Sequence, residues 1–167
     1  MTAPITLATP QDTFAFGRRL ADVLRAGDLL VLTGPLGAGK TALTQGIGAG
    51  LGVRGKVVSP TFVIARAHPG GRLPLLHVDA YRLHSLDEVD DMDLDVAVAD
   101  SVTVVEWGSG LVEQLTEARL EIRIERLPDS ETREVELAPF GGDWAARLAP
   151  VLAPAGAAEP AQRQNRS

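Results

Sequence analysis

The amino-acid sequence predicts an α/β protein, a three-layer sandwich in which helices cover a mixed β-sheet with a parallel core and antiparallel edge hairpins. Three observations support this fold class. An apolar run at 28–33 is followed by a glycine-rich turn and then by a helical pattern over 40–51. Two further pairs of apolar runs are each joined by a short turn, which is typical of hairpins. A separate apolar run at 101–107 supplies one more strand for the parallel core.

Length and composition indicate a single domain. The chain has 167 residues, of which 45% are hydrophobic and 23% are charged, and a chain of this size builds one hydrophobic core. We expect one domain over 1–152 and a disordered tail over 153–167, where Ala, Pro, Gln and Arg predominate. No apolar run approaches the about 20 residues that span a membrane, and no secretory signal is visible, so we expect a cytoplasmic protein.

The charge balance and the lack of cysteine narrow the possible functions. The formal net charge is −6, which disfavours a broad basic surface for nucleic acid, because such binding depends on neutralising phosphates. Any contact with RNA is therefore expected to be indirect, through a partner protein. With no cysteine in the chain, disulfides and thiolate metal sites are excluded, so a metal ion would need oxygen or histidine ligands.

The first elements are a helix, a strand and a second helix. Residues 9–26 have apolar side chains at steps of three to four, with arginines on the outer face, and Gly27 ends this predicted helix. A strand over 28–33 follows, and the second helix occupies 40–51. Glycines within the second helix lower its helix propensity, so it needs support from packing or from close approach to the sheet.

The middle of the chain predicts a hairpin, an acidic helix and a strand. Apolar segments over 57–65 and 73–81 flank the turn 69–71 and indicate an antiparallel hairpin. A short acidic helix is expected from Ser85, because Ser at the N-cap and Glu three residues later form a capping box. The strand over 101–107 follows.

The last part of the domain predicts a second hairpin between two helices. A brief helix over 109–117 precedes the strands 120–126 and 133–137, which alternate apolar and charged residues. We place this hairpin at the edge of the sheet. A terminal helix over 143–152 carries Trp144, which we expect in the core.

The glycine-rich turn matches a phosphate-binding loop. Its residues are Gly34-Pro35-Leu36-Gly37-Ala38-Gly39-Lys40-Thr41. In such a loop backbone N–H groups surround phosphate oxygens, Lys40 reaches the terminal phosphates, and the Thr41 hydroxyl binds Mg2+. The strand before the loop and the helix after it are the context that the motif requires, since a helix N-terminus favours anions. The sequence therefore predicts nucleotide binding on a P-loop NTPase-like fold.

Two acidic residues follow predicted strands and are candidates for a metal site. Asp79 follows the apolar run 75–78, and Glu106 follows the run 102–105. Carboxylates at the carboxyl ends of neighbouring strands complete the Mg2+ site in phosphate-loop proteins. The sequence does not distinguish the carboxylate that binds metal from the one that activates water, and either could instead face solvent or cap a helix. His77 lies two residues before Asp79 in the same predicted strand and is expected to have a structural role.

Other polar and aromatic side chains near these acids are weaker candidates. Ser59 and Thr61 lie in a loop where a hydroxyl can sense the terminal phosphate, with ordinary turn chemistry as the alternative. Tyr81 and Arg82 could support the site or contact a partner, or simply pack on the surface. Trp107, next to the second acid, could cover the site.

Four blocks of sequence occur in an order that resembles one bacterial family. The blocks are 36–41, LGAGKT; 59–62, SPTF; 77–83, HVDAYRL; and 105–107, VEW. Together they resemble the TsaE (YjeE) family, the ATPase of tRNA threonylcarbamoyladenosine biosynthesis. The resemblance implies a protein that binds ATP with Mg2+, hydrolyses it weakly and works with the TsaB and TsaD proteins. That complex places a threonylcarbamoyl group on the adenosine beside the anticodon in tRNAs that read codons beginning with A.

The resemblance also implies roles for single residues. Those that would hold the phosphates are Leu36, Gly37, Ala38, Gly39, Lys40 and Thr41. Thr41 and Glu106 would bind Mg2+, while Asp79 and Lys40 would serve hydrolysis. Thr13 matches a family position that contacts the nucleotide. The family commonly has Asp where this chain has Pro35, a change of small consequence because the loop donates mainly backbone groups.

Two other functions fit the same residues. A small-molecule kinase could use this loop, although such kinases usually carry several arginines in a mobile lid, and between residues 56 and 100 this chain has only Arg66, Arg72 and Arg82. The other is a binding module for which ATP is only a conformational ligand. Such a module would keep partner binding after Asp79→Asn and lose it after Lys40→Ala.

Overall fold

The structure, a computed structural model, describes residues 2–35, 37–57, 65–79, 98–106 and 118–153. The predicted acidic helix from Ser85, the predicted helix over 109–117 and the tail after residue 153 lie outside these residues. Within the described ranges, no helix has the length and apolar character needed to cross a membrane.

The helices and strands follow the predicted order. The strands are β1 Ile5–Leu7, β2 Leu29–Thr33, β3 Ala65–His68, β4 Leu75–Asp79, β5 Val102–Glu106, β6 Arg119–Arg126 and β7 Arg133–Phe140. The helices are α1 Pro10–Ala21, α2 Lys40–Leu51 and α3 Trp144–Leu152. The second helix therefore has the predicted bounds, and Trp144 of the last helix is buried as expected.

One seven-stranded sheet has the order β1-β7-β6-β2-β5-β4-β3. The central strand β2 runs parallel to β5 and β6, and β4 runs parallel to β5. The hairpins β3–β4 and β6–β7 are antiparallel, so the predicted mixed sheet is confirmed. Strand β1, which is only three residues long, was not predicted from the sequence. Because β1 pairs with β7, the second hairpin lies one strand in from the edge rather than at the edge itself.

The main hydrophobic core lies on one face of the sheet. The register pairs Leu30 of β2 with Val104 of β5 and Leu120 of β6, and all three are fully buried. Their cluster includes Phe16 of α1 and Ile47 of α2, which shows that both helices pack on this face. Apolar residues at alternate positions of neighbouring strands thus build one continuous surface.

Helix α1 ends at Ala21, five residues earlier than the sequence analysis expected. The next turn tightens, with the N–H of Leu24 bonded to the Ala21 carbonyl three residues back. Arg72 reaches across to donate to both of these residues, from Nη2 to the Ala21 carbonyl at 2.6 Å and from Nη1 to the Leu24 carbonyl at 3.0 Å. This early end is stabilised because Arg72 gives the Leu24 carbonyl a partner and the Ala21 carbonyl a second donor.

Glycines allow α1 and α2 to pack with their backbones in contact. A Cβ added at Gly17 would lie 2.4 Å from the Leu43 carbonyl oxygen, and one added at Gly46 would lie 2.1 Å from the Phe14 carbonyl oxygen. The glycines of α2 were expected to need packing, and Gly46 obtains it against α1 rather than against the sheet. Phe14 itself is only half-buried, while Phe16, two residues later, is fully buried.

We predict that Gly46→Ala destabilises the protein although alanine favours helices. Helix propensity alone would add about 1 kcal/mol to the free energy of unfolding, but the clash with the Phe14 carbonyl costs more, so we expect a net loss of about 1–3 kcal/mol. Chemical denaturation measures this change. Ala49→Gly, at an exposed position of the same helix, measures the effect of helix propensity alone on the free energy of unfolding. A gain in Gly46→Ala equal to the loss in Ala49→Gly would contradict the close helix contact.

Candidate functional site

The phosphate loop joins β2 to α2. Gly34 and Gly37 have φ of 154° and 80°, values that residues with a side chain rarely adopt. Gly39 is the N-cap of α2, and because glycine has no side chain, no side-chain hydrogen bond caps the first turn. A helix that begins with a glycine-rich loop in this way presents its positive end to an anion. Leu36 lies outside the described residues.

Lys40 is held inside the loop. Its side chain is buried, and its Nζ donates a hydrogen bond of 2.6 Å to the Gly34 carbonyl oxygen. Burial lowers the pKa of Lys40, while the nearby charges of Glu106 and Asp79 oppose this change. The ammonium group is therefore drawn toward two carboxylates at the site where the terminal phosphates are expected.

Asp79 and Glu106, the two acids that follow predicted strands, lie side by side. They are the last residues of β4 and β5 and are paired in register across the two parallel strands. Residues in register share a face, and this face also carries the core residue Val104. Asp79 is half-buried, whereas Glu106 is 6% exposed. The pairing places both carboxylates at the carboxyl end of the parallel core, near the ammonium group of Lys40.

The donor atoms at this place fit a magnesium ion. The Oε1 atom of Glu106 is buried and has no hydrogen-bond partner among the described residues. A buried acceptor without a partner costs free energy, and a carboxylate oxygen is the ligand type that Mg2+ prefers. Thr41, at the start of α2, is exposed. These two residues and the phosphates of a nucleotide form a chemically suitable donor set, with Asp79 beside it.

His77 lies closer to the site than the sequence analysis expected. Its side chain is fully buried, and its Nε2 atom is 3.4 Å from Oε1 of Glu106. Neither ring nitrogen has a hydrogen-bond partner in the part of the chain that the structure describes. The alternation of β4 puts His77 on the same face as Asp79, which was the available sequence signal.

Of the remaining candidate residues, Thr13 is the one that lies in the described part of the chain. The Thr13 hydroxyl is fully buried and donates a 3.4 Å hydrogen bond to the Thr9 carbonyl one turn earlier in α1. A nucleotide contact by Thr13 therefore stays a prediction. The other candidates lie outside the described residues: Ser59, Thr61, Tyr81, Arg82 and Trp107.

Arg133 contacts the phosphate loop and was missed by the sequence analysis. It is buried, and its Nε donates a 3.0 Å hydrogen bond to the Ala38 carbonyl, 95 residues away in the sequence. No motif spacing connects two residues so far apart. The one available signal was the alternation of β7, which puts Arg133 on the same face as the core residues Val135 and Leu137.

Comparison with known proteins identifies similar chains. The model of the family described as threonylcarbamoyl adenosine biosynthesis protein TsaE matches residues 7–135. A Streptomyces coelicolor protein named tRNA threonylcarbamoyladenosine biosynthesis protein TsaE is 60% identical over 143 residues, which cover 82% of this chain and 97% of the relative. A Bacillus subtilis protein of the same name is 42% identical over 136 residues, covering 81% and 84%.

A solved structure shows the same architecture. The crystal structure of Bacillus subtilis YdiB matches with a TM-score of 0.71 and 33% sequence identity, and the match covers 89% of this chain and 93% of that chain. This likeness confirms the P-loop NTPase-like fold class that the sequence predicts.

We predict that Gly34→Ala destabilises the protein more than Gly37→Ala. Both positions have positive φ, so alanine strains the backbone at each, by about 1–2 kcal/mol at Gly37 and by at least as much at Gly34, whose φ of 154° lies farther from the left-handed helical region. A Cβ at Gly34 would also lie 2.2 Å from the Ile124 carbonyl oxygen of β6, whereas a Cβ at Gly37 meets no atom of the described residues within 4 Å. We expect a further loss of at least about 1 kcal/mol in the free energy of unfolding for Gly34→Ala. Equal losses in chemical denaturation would mean that the loop does not rest on β6.

Proposed function

The chain belongs to the TsaE family of tRNA threonylcarbamoyladenosine biosynthesis proteins, and from this premise we propose that it is the ATPase of that pathway. It binds ATP with Mg2+, hydrolyses it slowly and acts with the TsaB and TsaD proteins. The observation that carries the proposal is that the phosphate loop, Lys40 and two carboxylates converge at the carboxyl end of the parallel strands. Ligands of open α/β sheets bind at this end.

The proposed nucleotide site uses the loop for the phosphates. Backbone N–H groups of residues 36–41 surround the phosphate oxygens, and the ammonium group of Lys40 neutralises their charge. The bond from Lys40 to the Gly34 carbonyl supports this role, because it already places the ammonium group across the loop. Thr13 at the start of α1 is the proposed additional nucleotide contact.

The two carboxylates are proposed to have different roles, which we assign from their burial. Glu106 and the Thr41 hydroxyl would hold Mg2+, which would offset the negative charge of the phosphates. Asp79 is the less buried acid and orients or activates the attacking water, as a carboxylate near a phosphate can. Asp79 and Glu106 are paired in register, so both carboxylates lie at the same end of the sheet. Each can take its proposed role without a rearrangement of β4 or β5.

The proposed partners account for the link to tRNA. The chain has a formal net charge of −6, which favours contact with tRNA through TsaB and TsaD rather than directly. The product is tRNA with a threonylcarbamoyl group on the adenosine beside the anticodon, in tRNAs that read codons beginning with A. The cytoplasm is the proposed location. Turnover of the isolated protein is expected to be slow, since its ATPase cycle is tied to these partners.

Depletion of the protein from cells tests the proposal. We expect the threonylcarbamoyl adenosine content of tRNA, measured by mass spectrometry of nucleosides, to fall on depletion and to recover with the parent chain. Lys40→Ala should not restore it, because the loop loses the cation that binds the terminal phosphates. Asp79→Asn should also fail if hydrolysis is required, and it should succeed if ATP is only a conformational ligand. Unchanged modification after depletion would refute the proposed pathway.

A second prediction concerns the metal. We expect Glu106→Gln to lower the affinity of the ATP complex for Mg2+ by about tenfold or more, because one anionic oxygen ligand is lost. Thermal unfolding with ATP, titrated with Mg2+ or with a chelator, measures this affinity. Glu125→Gln, which removes an exposed carboxylate on β6, is the matched control and should behave as the parent. Equal Mg2+ titrations for parent and Glu106→Gln would exclude Glu106 as a ligand.

A further inference from the structure

Arg133 occupies an unusual position for a charged residue. It is the first residue of β7 and lies on the face of the sheet that carries the hydrophobic core, in register with Leu7 of β1. Only 7% of Arg133 is exposed. A buried guanidinium is costly unless its donors find partners, so the contacts of this side chain indicate what it does.

The guanidinium of Arg133 connects the β6–β7 hairpin to the phosphate loop. On the hairpin side, Nη1 donates to the Glu131 carbonyl at 2.5 Å and lies 3.4 Å from the carboxylate of the same residue. On the loop side, Nε donates to the Ala38 carbonyl at 3.0 Å. Arginine suits this task because its planar fork offers several donors in fixed directions.

The loop lies directly on this hairpin. A Cβ at Gly39 would be 3.3 Å from Nε of Arg133 and 3.3 Å from Cδ1 of Ile124, and a Cβ at Gly34 would overlap the Ile124 carbonyl oxygen at 2.2 Å. Both ends of the loop therefore contact the hairpin. Arg133 is the charged group in this contact.

The hydrogen bond to Ala38 has a consequence for the next amide. The Ala38 carbonyl and the Gly39 N–H belong to one peptide unit, in which the two groups point in opposite directions. When Arg133 holds the carbonyl toward the hairpin, the Gly39 N–H points away from it. This N–H has no hydrogen-bond partner among the described residues. A phosphate-binding loop requires such inward N–H groups, with the carbonyl oxygens turned away from the anion.

We propose that Arg133 is a positioning residue for the phosphate loop, which holds the Ala38 carbonyl on the hairpin and so presents the Gly39 N–H to the phosphates of a bound nucleotide. The inference rests on the proposed binding of ATP. Arg133 acts through the loop backbone, and its buried positive charge also attracts anions.

Calorimetric titration of the full chain with ADP and ATP in the presence of Mg2+ tests this role. We expect Arg133→Met to weaken both affinities by about tenfold or more, the cost of losing a charge-assisted hydrogen bond. Arg133→Lys should weaken both affinities by about threefold or more, because an ammonium group lacks the planar fork whose separate nitrogens bond the loop and the hairpin. Arg126→Met is the matched control, since Arg126 faces Arg133 in register and pairs with the same Glu131 but is exposed. Arg126→Met should bind ADP and ATP with affinities within twofold of those of the parent chain.

The amide signal of Gly39 in a 15N-resolved NMR spectrum distinguishes a role of Arg133 in positioning this N–H from a role in the stability of the fold alone. In the parent we expect saturating ADP to move this amide proton strongly downfield, as a hydrogen bond to phosphate does. In Arg133→Met the movement should be much smaller even at saturation. A full shift in Arg133→Met together with a lower melting temperature would overturn the positioning role.

The possible outcomes distinguish this inference from the function on which it rests. A parent chain that binds neither ADP nor ATP would refute the proposed function and this inference with it. A parent that binds, with Arg133→Met within twofold, would overturn the inference alone. If Arg133→Met fails to fold, Arg133→Lys decides: a loss of threefold or more supports the positioning role, and affinity within twofold of the parent overturns it.

Discussion

The buried ammonium group of Lys40 is the interaction on which the rest of the site depends. It bonds to the Gly34 carbonyl across the phosphate loop, and it is the cation that faces the two acids at the strand ends. Without it, the half-buried Asp79 and the buried Glu106 would adjoin each other at paired positions, where like charges disfavour the folded state. The lysine thus offsets the negative charge of the two acids, and in the proposed function its ammonium group would contact the terminal phosphates.

Close backbone packing positions this lysine. The β6–β7 hairpin supports the loop, because Ile124 lies against Gly34 and Gly39. Arg133 also lies against Gly39, next to the Ala38 carbonyl to which it donates. On the other side, α2 lies against α1 so closely that a methyl group at Gly46 would overlap the Phe14 carbonyl. Backbone contacts of this kind leave little freedom for sliding, because close-packed interiors deform poorly. A phosphate site needs this rigidity, since its donors act through fixed directions.

Much of the fold followed from local patterns in the chain. The bounds of α2 were predicted because the phosphate-loop motif dictates where the helix begins, and the β6–β7 hairpin followed from strict alternation, with Leu120, Ile122 and Ile124 buried. Two features did not follow. Strand β1 is too short for a periodic signal, and the end of α1 is stabilised by Arg72, which lies 51 residues from the Ala21 carbonyl to which it donates. Residues 58–64 and 80–97 carry other predictions that lie outside the described part of the chain.

The sequence by itself determined the chemistry of the site: a loop of glycines with one lysine and one threonine, and two acids at the ends of apolar runs. Only the tertiary structure decided which of these groups meet. The pairing of Asp79 with Glu106, the approach of His77 to Glu106 and the bond from Arg133 to Ala38 all depend on strand order and register. Residue types and spacing reveal what a segment can do locally, whereas contacts between distant segments are set by how the whole sheet is assembled.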